Sequence, residues 1–130
     1  MMRKLLIAVL VIALLIELAL TGGAFFATEV TMAKFGVTLN AETAFLSYII
    51  AWFLLFTSAI CLFATWQVWK NKNYHTLCYL LGFWWIGIGI GIYVAFKKPD
   101  NLFLDSLKGL LIVLFAKFSR PNKSQQKKAP

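Results

Sequence analysis

One histidine, two cysteines, three prolines and five acidic residues are all that a chain of 130 residues offers of these types, and each scarcity excludes something. With His75 alone there is no haem-ligating histidine pair and no HExxH motif, and neither GxSxG nor a phosphate-cradling glycine loop occurs. Cys61 and Cys78 both lie in apolar runs without a second Cys or a His at ligand spacing, so neither a zinc site nor a disulfide framework is indicated, and both are read as small buried hydrophobes. His75 falls in a polar connection, where contact with solvent or lipid headgroups is expected. These absences argue against a self-sufficient enzyme, and no catalytic residue, metal or resident cofactor is assigned, a quinone being the one cofactor left open.

What is present in excess is apolar. Hydrophobic residues make up 61% of the chain and aromatic ones 16%, with a mean hydropathy of +0.77, whereas a soluble domain carries roughly 45–50% apolar residues. The excess must face lipid or a partner, which excludes a disordered scaffold, and the length allows about one compact unit. Four apolar segments follow one another, at about 5–26, 44–69, 76–96 and 100–118. Each of the first three reaches the ~20 residues that span ~30 Å of hydrocarbon. The fourth is interrupted by Asp105, Lys108 and Lys117, and crosses if other helices shelter its charges. The first resembles a signal peptide in its basic start and in Gly22-Gly23-Ala24, but its apolar run is longer than a signal core and contains Glu17, so a retained helix is expected. The expectation is an all-α, polytopic bundle of four transmembrane helices over residues 1–118.

Thirteen Lys/Arg against five Asp/Glu give +8, and the placement of the basic residues turns that charge into a topology. With the N-terminus in the cytoplasm, Arg3, Lys4, Lys70, Lys72, Lys117, Arg120, Lys123, Lys127 and Lys128 lie inside, and Lys34, Lys97 and Lys98 lie outside. Both termini are then cytoplasmic in a bacterial inner membrane, and no nucleic-acid partner is implied. Residues 119–130 read as a basic, disordered tail held near anionic headgroups. Short polar connections at 70–75 and 97–101 predict that the second and third segments, and the third and fourth, pair as antiparallel neighbours. The outer stretch 27–43 has room for a short surface helix from which Phe26, Val30 and Met32 or Phe35 dip toward lipid.

The third segment contains Gly87-Ile88-Gly89-Ile90-Gly91-Ile92, which alternates like a strand. A lone strand cannot cross a membrane with its backbone unpaired, so the run is read as a helix with two smooth faces. Gly87 and Gly91 line one, and Gly82 and Gly89 the other. Such faces serve internal packing, or pairing with a second copy or another membrane protein. Trp66, Trp69, Tyr74 and Tyr79 fit an inner aromatic belt, and Tyr48, Tyr93 and Phe96 an outer one. Trp52, Trp84 and Trp85 lie deeper, where they fill the core or line a pocket.

The informative residues are the ionisable ones within the membrane, Glu17, Asp105 and Lys108. At ~1.5 Å per residue, Glu17 lies roughly 12 Å below the outer end of the first helix and Lys108 roughly 10 Å below that of the fourth. Asp105 is one turn above Lys108. Small or polar neighbours at Ala13, Thr21 and Ala24, and Gly109 after Asp105, mark these stripes as facing protein. The second segment offers a matching stripe in Ser47, Ala51, Ser58, Cys61 and Thr65. Two readings follow: an ion-pair network pinning the fourth helix to the first, or a ligand or proton site for a quinone or lipid headgroup, which Tyr48 and Trp52 would help to line.

The order of elements resembles the DoxX-like group of small four-helix bacterial membrane proteins, carried by a basic start and long first helix, Phe35-Gly36-Val37 ending the outer loop, and a late Asp105-Ser106-Leu107-Lys108-Gly109. That resemblance implies a role beside quinone-linked respiratory, sulfur-oxidising or redox-stress systems. A glutamate in the first of four helices also resembles the small multidrug resistance family, which implies proton-coupled export of hydrophobic cations through Glu17. The chain departs from that family in its one-directional charge bias, its long outer loop and Lys108. The leading expectation is a non-catalytic subunit or binding module for a quinone, a lipid or a membrane partner, and the alternative is a proton-coupled transporter using Glu17.

Overall fold

The computed structural model describes residues 1–119. Its elements are α1 (Met2–Phe26), α2 (Thr28–Ala33), α3 (Ala41–Trp69), α4 (His75–Phe96) and α5 (Pro99–Phe118), with no strand among the described residues. The alternating Gly-Ile run lies within α4 as continuous helix. Three helices, α1, α3 and α4, are long and apolar enough to cross a membrane. Apart from Ser119, the basic tail lies outside the described residues.

Local chemistry sets the boundaries. α3 starts about one turn before its apolar run because Asn40 caps it: Oδ1 accepts from the Glu42 and Thr43 backbone N–H groups, and the Thr43 hydroxyl oxygen accepts from the Asn40 N–H. α4 ends where Lys97 turns left-handed at φ 55°, and Pro99 opens α5 two residues later, where its missing N–H needs no partner. The chain reverses between them in a few residues.

Each helix buries one stripe. On α1 it is Leu6, Leu10, Ala13, Glu17, Thr21 and Ala24, three or four residues apart throughout. The large side chains off these stripes, such as Ile12, Leu15, Phe45, Leu62 and Phe83, point outward, which suits hydrocarbon and would be a liability in water. Phe26 and Val30 at the α1–α2 corner are exposed, whereas Met32 is buried.

The packing order is not the chain order. α1 lies between α3 and α5, and α4 packs along α5, while α3 and α4 touch only marginally. The short connection at 70–74 therefore does not make α3 and α4 close neighbours along their length, contrary to the expectation from loop length. The cause is glycine. A Cβ on Gly109 would collide with the Gly82 carbonyl oxygen, and one on Gly82 would meet the Gly109 carbonyl oxygen at 2.8 Å and the Val113 side chain. The backbones of α4 and α5 thus meet directly, as two helices do when small residues coincide at the crossing. Gly89 adds a second such point, against Ser106. The α4 side facing α3 carries Leu77, Leu80 and Trp84 opposite Phe53 and Phe56, and these bulky walls hold a space open.

At the opposite end from α2, Tyr74 is buried and its hydroxyl donates to the Ser119 carbonyl at 2.6 Å, with His75 Nε2 3.0 Å from the same oxygen. The connection between α3 and α4 thereby holds the end of α5. Tyr74 is a clamp within the protein and not a belt residue, and its ring stacks on that of His75.

Candidate functional site

Glu17 on α1, Lys108 and Asp105 on α5 and Trp85 on α4 come together in one cluster. Lys108 Nζ donates to Glu17 Oε1 at 2.8 Å and lies 3.0 Å from Asp105 Oδ1. Trp85 Nε1 donates to the same Glu17 oxygen at 2.9 Å, and the ammonium sits 4.5 Å from the Trp85 ring centroid. Glu17 is 3% exposed, Lys108 8% and Trp85 1%. A charge placed so deep is costly unless paired and hydrogen-bonded, and here the lysine is held by two carboxylates and the face of an indole.

Helix geometry explains the meeting. α1 and α5 run antiparallel, and Glu17 and Lys108 each stand nine residues from the helix ends that lie on one side of the bundle, Phe26 and Pro99. At ~1.5 Å per residue both therefore lie at nearly the same level along the bundle. Trp85 is carried to them by the close approach of α4 to α5, because it shares the α4 face of Cys78, Gly82 and Gly89, all buried. That run, at 78, 82, 85 and 89, has the spacing of a packing seam, and it is the sequence signal by which Trp85 separates from its neighbour Trp84.

Glu17, Asp105 and Trp85 of this cluster form the floor of a cavity of about 350 Å³ between α3 and α4, walled by Phe53, Leu54, Trp84 and Ile88 and roofed by Met32 and Phe35 from the α2 region. Phe35 lies against Phe96 at 5.5 Å between ring centroids, which ties the roof to the end of α4. A second space of about 280 Å³, lined by apolar side chains apart from Thr57, lies beside it between α3 and α4 and shares Phe53, Thr57 and Trp84. Phe53 and Trp84 stack across the junction, 6.3 Å apart and 14° from parallel. Glu17 and Asp105 line the larger space, and Lys108, behind them, does not.

The other residues singled out in the sequence are placed elsewhere. Tyr48 and Trp52 are 61% and 63% exposed on the outer side of α3, off the buried stripe of Ser47 and Ala51, and neither lines the cavity. Trp52 makes an edge contact with Phe25 instead. The glycines divide by face: Gly82 and Gly89 are the seam with α5, while a side chain added at Gly87 or Gly91 would meet nothing within 4 Å. Cys61 is buried, its thiol 3.4 Å from the Leu10 carbonyl oxygen between α3 and α1. Among the described residues no three His, Cys, Asp or Glu side chains are grouped to hold a metal ion.

No protein-family model matches the chain, and no curated protein or solved structure matches it at a significant level.

Proposed function

We propose that this chain is a multi-pass bacterial inner-membrane protein, DoxX-like in plan, that binds an amphipathic small molecule, a quinone or a lipid, in the cleft between α3 and α4. The observation that carries this reading is the cleft itself: aromatic and aliphatic walls ending on a polar floor of the buried Glu17 and the partly buried Asp105. Ligand sites are typically mostly apolar with a few convergent polar groups, and ionisable groups at membrane depth mark functional positions. A purely structural ion pair needs no such space beside it.

The same reading makes α5 a fourth crossing, with both termini in the cytoplasm. Asp105 and Lys108, which weaken α5 as an apolar segment, are turned inward onto Glu17, and Lys117 stands in its last turn, toward the basic side. Lipids are then its immediate neighbours. A membrane partner or a second copy would meet it on the α4 face of Gly87 and Gly91, where space is open.

Native mass spectrometry of the protein, gently extracted into nanodiscs, tests the reading. A retained small molecule in the quinone or lipid mass range is expected, and Trp84→Ala with Phe53→Ala, which removes the shared walls, should release it. Absence of any retained molecule, together with no binding of added alkylphenol, speaks for a structural ion pair alone. Loss of export of a hydrophobic cation in a folded Glu17→Gln variant would favour transport instead.

A further inference from the structure

We propose that the cleft selects a ligand whose polar end donates a hydrogen bond, an alcohol or phenol on an apolar body, over the matching carbonyl or ether. This rests on the cleft being a binding site, as proposed above, and adds which chemistry it accepts.

Donors and acceptors in the cavity wall are unequally spent. The Trp85 N–H is used on Glu17 Oε1, and so is a proton of Lys108, whose ammonium lies behind the carboxylates. Both of these bonds go to Oε1, and among the described residues no hydrogen bond reaches Oε2 of Glu17, a residue that lines the cavity. The hydroxyls of Thr31 and Thr57 each donate to the backbone carbonyl four residues before them, at Ala27 and Phe53, so what they have left for the cavity is lone pairs. Asp105 adds a carboxylate. The N–H groups left for a guest are those of the Asn101 amide, close to the start of α5, and of the Trp84 indole on the wall, and neither belongs to the floor of Glu17 and Asp105. A guest offering a carbonyl or ether oxygen to this floor would set acceptor against acceptor. A guest offering O–H gives Glu17 Oε2 the charge-assisted bond it lacks, the strong kind of hydrogen bond. If the guest is a quinone, the reduced quinol is the form held. If it is a lipid, it is one with a free hydroxyl.

Binding of 4-octylphenol and of its methyl ether, 4-octylanisole, to the full chain in nanodiscs, followed by isothermal titration calorimetry, tests this. The phenol should bind at least about tenfold more tightly than the ether, the worth of one buried hydrogen bond. Glu17→Gln should invert the order. Its amide oxygen can keep the bonds from Trp85 and Lys108, which leaves the NH₂ group to face the cavity as a donor. Should that variant fail to fold, Asp105→Asn is expected to reduce the preference. A decyl-quinol and dioctanoylglycerol, used as competitors, identify the source, and displacement by either supports the proposal. Equal binding of phenol and ether in the wild type overturns it while leaving the binding site standing. An undiminished preference in every folded variant, displacement by neither competitor, or tighter binding of tetraphenylphosphonium than of the phenol also overturns it. Binding of none of these probes overturns the binding site as well.

Discussion

Lys108 Nζ rests 2.8 Å from Glu17 Oε1, joining residues 91 positions apart across the α1–α5 contact. Removing Lys108 takes the shared cation from Glu17 and Asp105 in a low-dielectric interior and leaves Glu17 only the Trp85 N–H. Lys108→Met is therefore expected to destabilise the protein by about 3–5 kcal/mol. Pairing it with Glu17→Gln removes much of the stranded charge, so the double variant should lose less than the sum of the two single losses, by about 1–3 kcal/mol. Reversible unfolding in mixed micelles, run as a double-mutant cycle, checks both, and strict additivity would show that the contact carries no coupling.

How much of this was legible in the sequence follows from the physics of each feature. Helix rise is fixed, so counting residues from the outer ends placed Glu17 and Lys108 at one depth, and the chemistry of two opposite charges in hydrocarbon did the rest. Lateral packing has no such ruler. Loop length makes α3 and α4 look adjacent, yet the decisive term is the Gly82–Gly109 backbone contact between α4 and α5, which appears only once both helices are in hand. Gly87/Gly91 and Gly82/Gly89 are equally smooth in sequence, and a partner helix decides which face is used. Tyr48 and Trp52 have the right depth for the site but stand about 100° around α3 from Ser47 and Ala51, so depth alone misplaces them and the buried stripe corrects them. Of the cleft, only Trp84 and Trp85 as pocket candidates were legible; its place was not, because it is a gap left where bulky side chains face each other.

The two glycine faces of α4 should respond oppositely to the same change. Gly109→Ala and Gly82→Ala insert a Cβ against the facing backbone or into Val113, and each is expected to cost about 1–3 kcal/mol as the helices are forced apart. At Gly87 and Gly91 nothing stands in the way, so alanine should be neutral or stabilising by up to about 1 kcal/mol through helix propensity. Thermal unfolding of the four variants in one detergent tests the contrast, and similar losses at both faces would mean that Gly87 and Gly91 are packed against something beyond the chain.

The Tyr74 clamp should be local. Tyr74→Phe keeps the ring stacked on His75 and deletes the hydroxyl bond to the Ser119 carbonyl, a change worth about 0.5–1.5 kcal/mol. Hydrogen exchange is expected to quicken in the last turn of α5, while amides around Glu17 and Trp85 keep their protection. Faster exchange at both places would show the clamp and the ion cluster to be one cooperative unit.

Sidedness can be tested without removing either native cysteine, because Cys61 and Cys78 are fully buried and should stay silent to a membrane-impermeant maleimide. Thr38 and Asn73 are exposed, at opposite ends of α3. Positive charge is retained on the cytoplasmic side during insertion, so the Lys70–Lys72 end is the one expected in the cytoplasm. Thr38→Cys should then be labelled on intact cells, and Asn73→Cys only after the membrane is opened. An α5 that crosses returns the chain to the side of Asn73, so a cysteine at Ser119 should follow Asn73→Cys once the Tyr74 clamp is released by denaturant. Labelling of Asn73→Cys from outside would reverse the orientation. Labelling at position 119 from outside, with Asn73→Cys protected, would show that α5 does not cross, and Asp105 and Lys108 would then lie at the surface instead of beside Glu17.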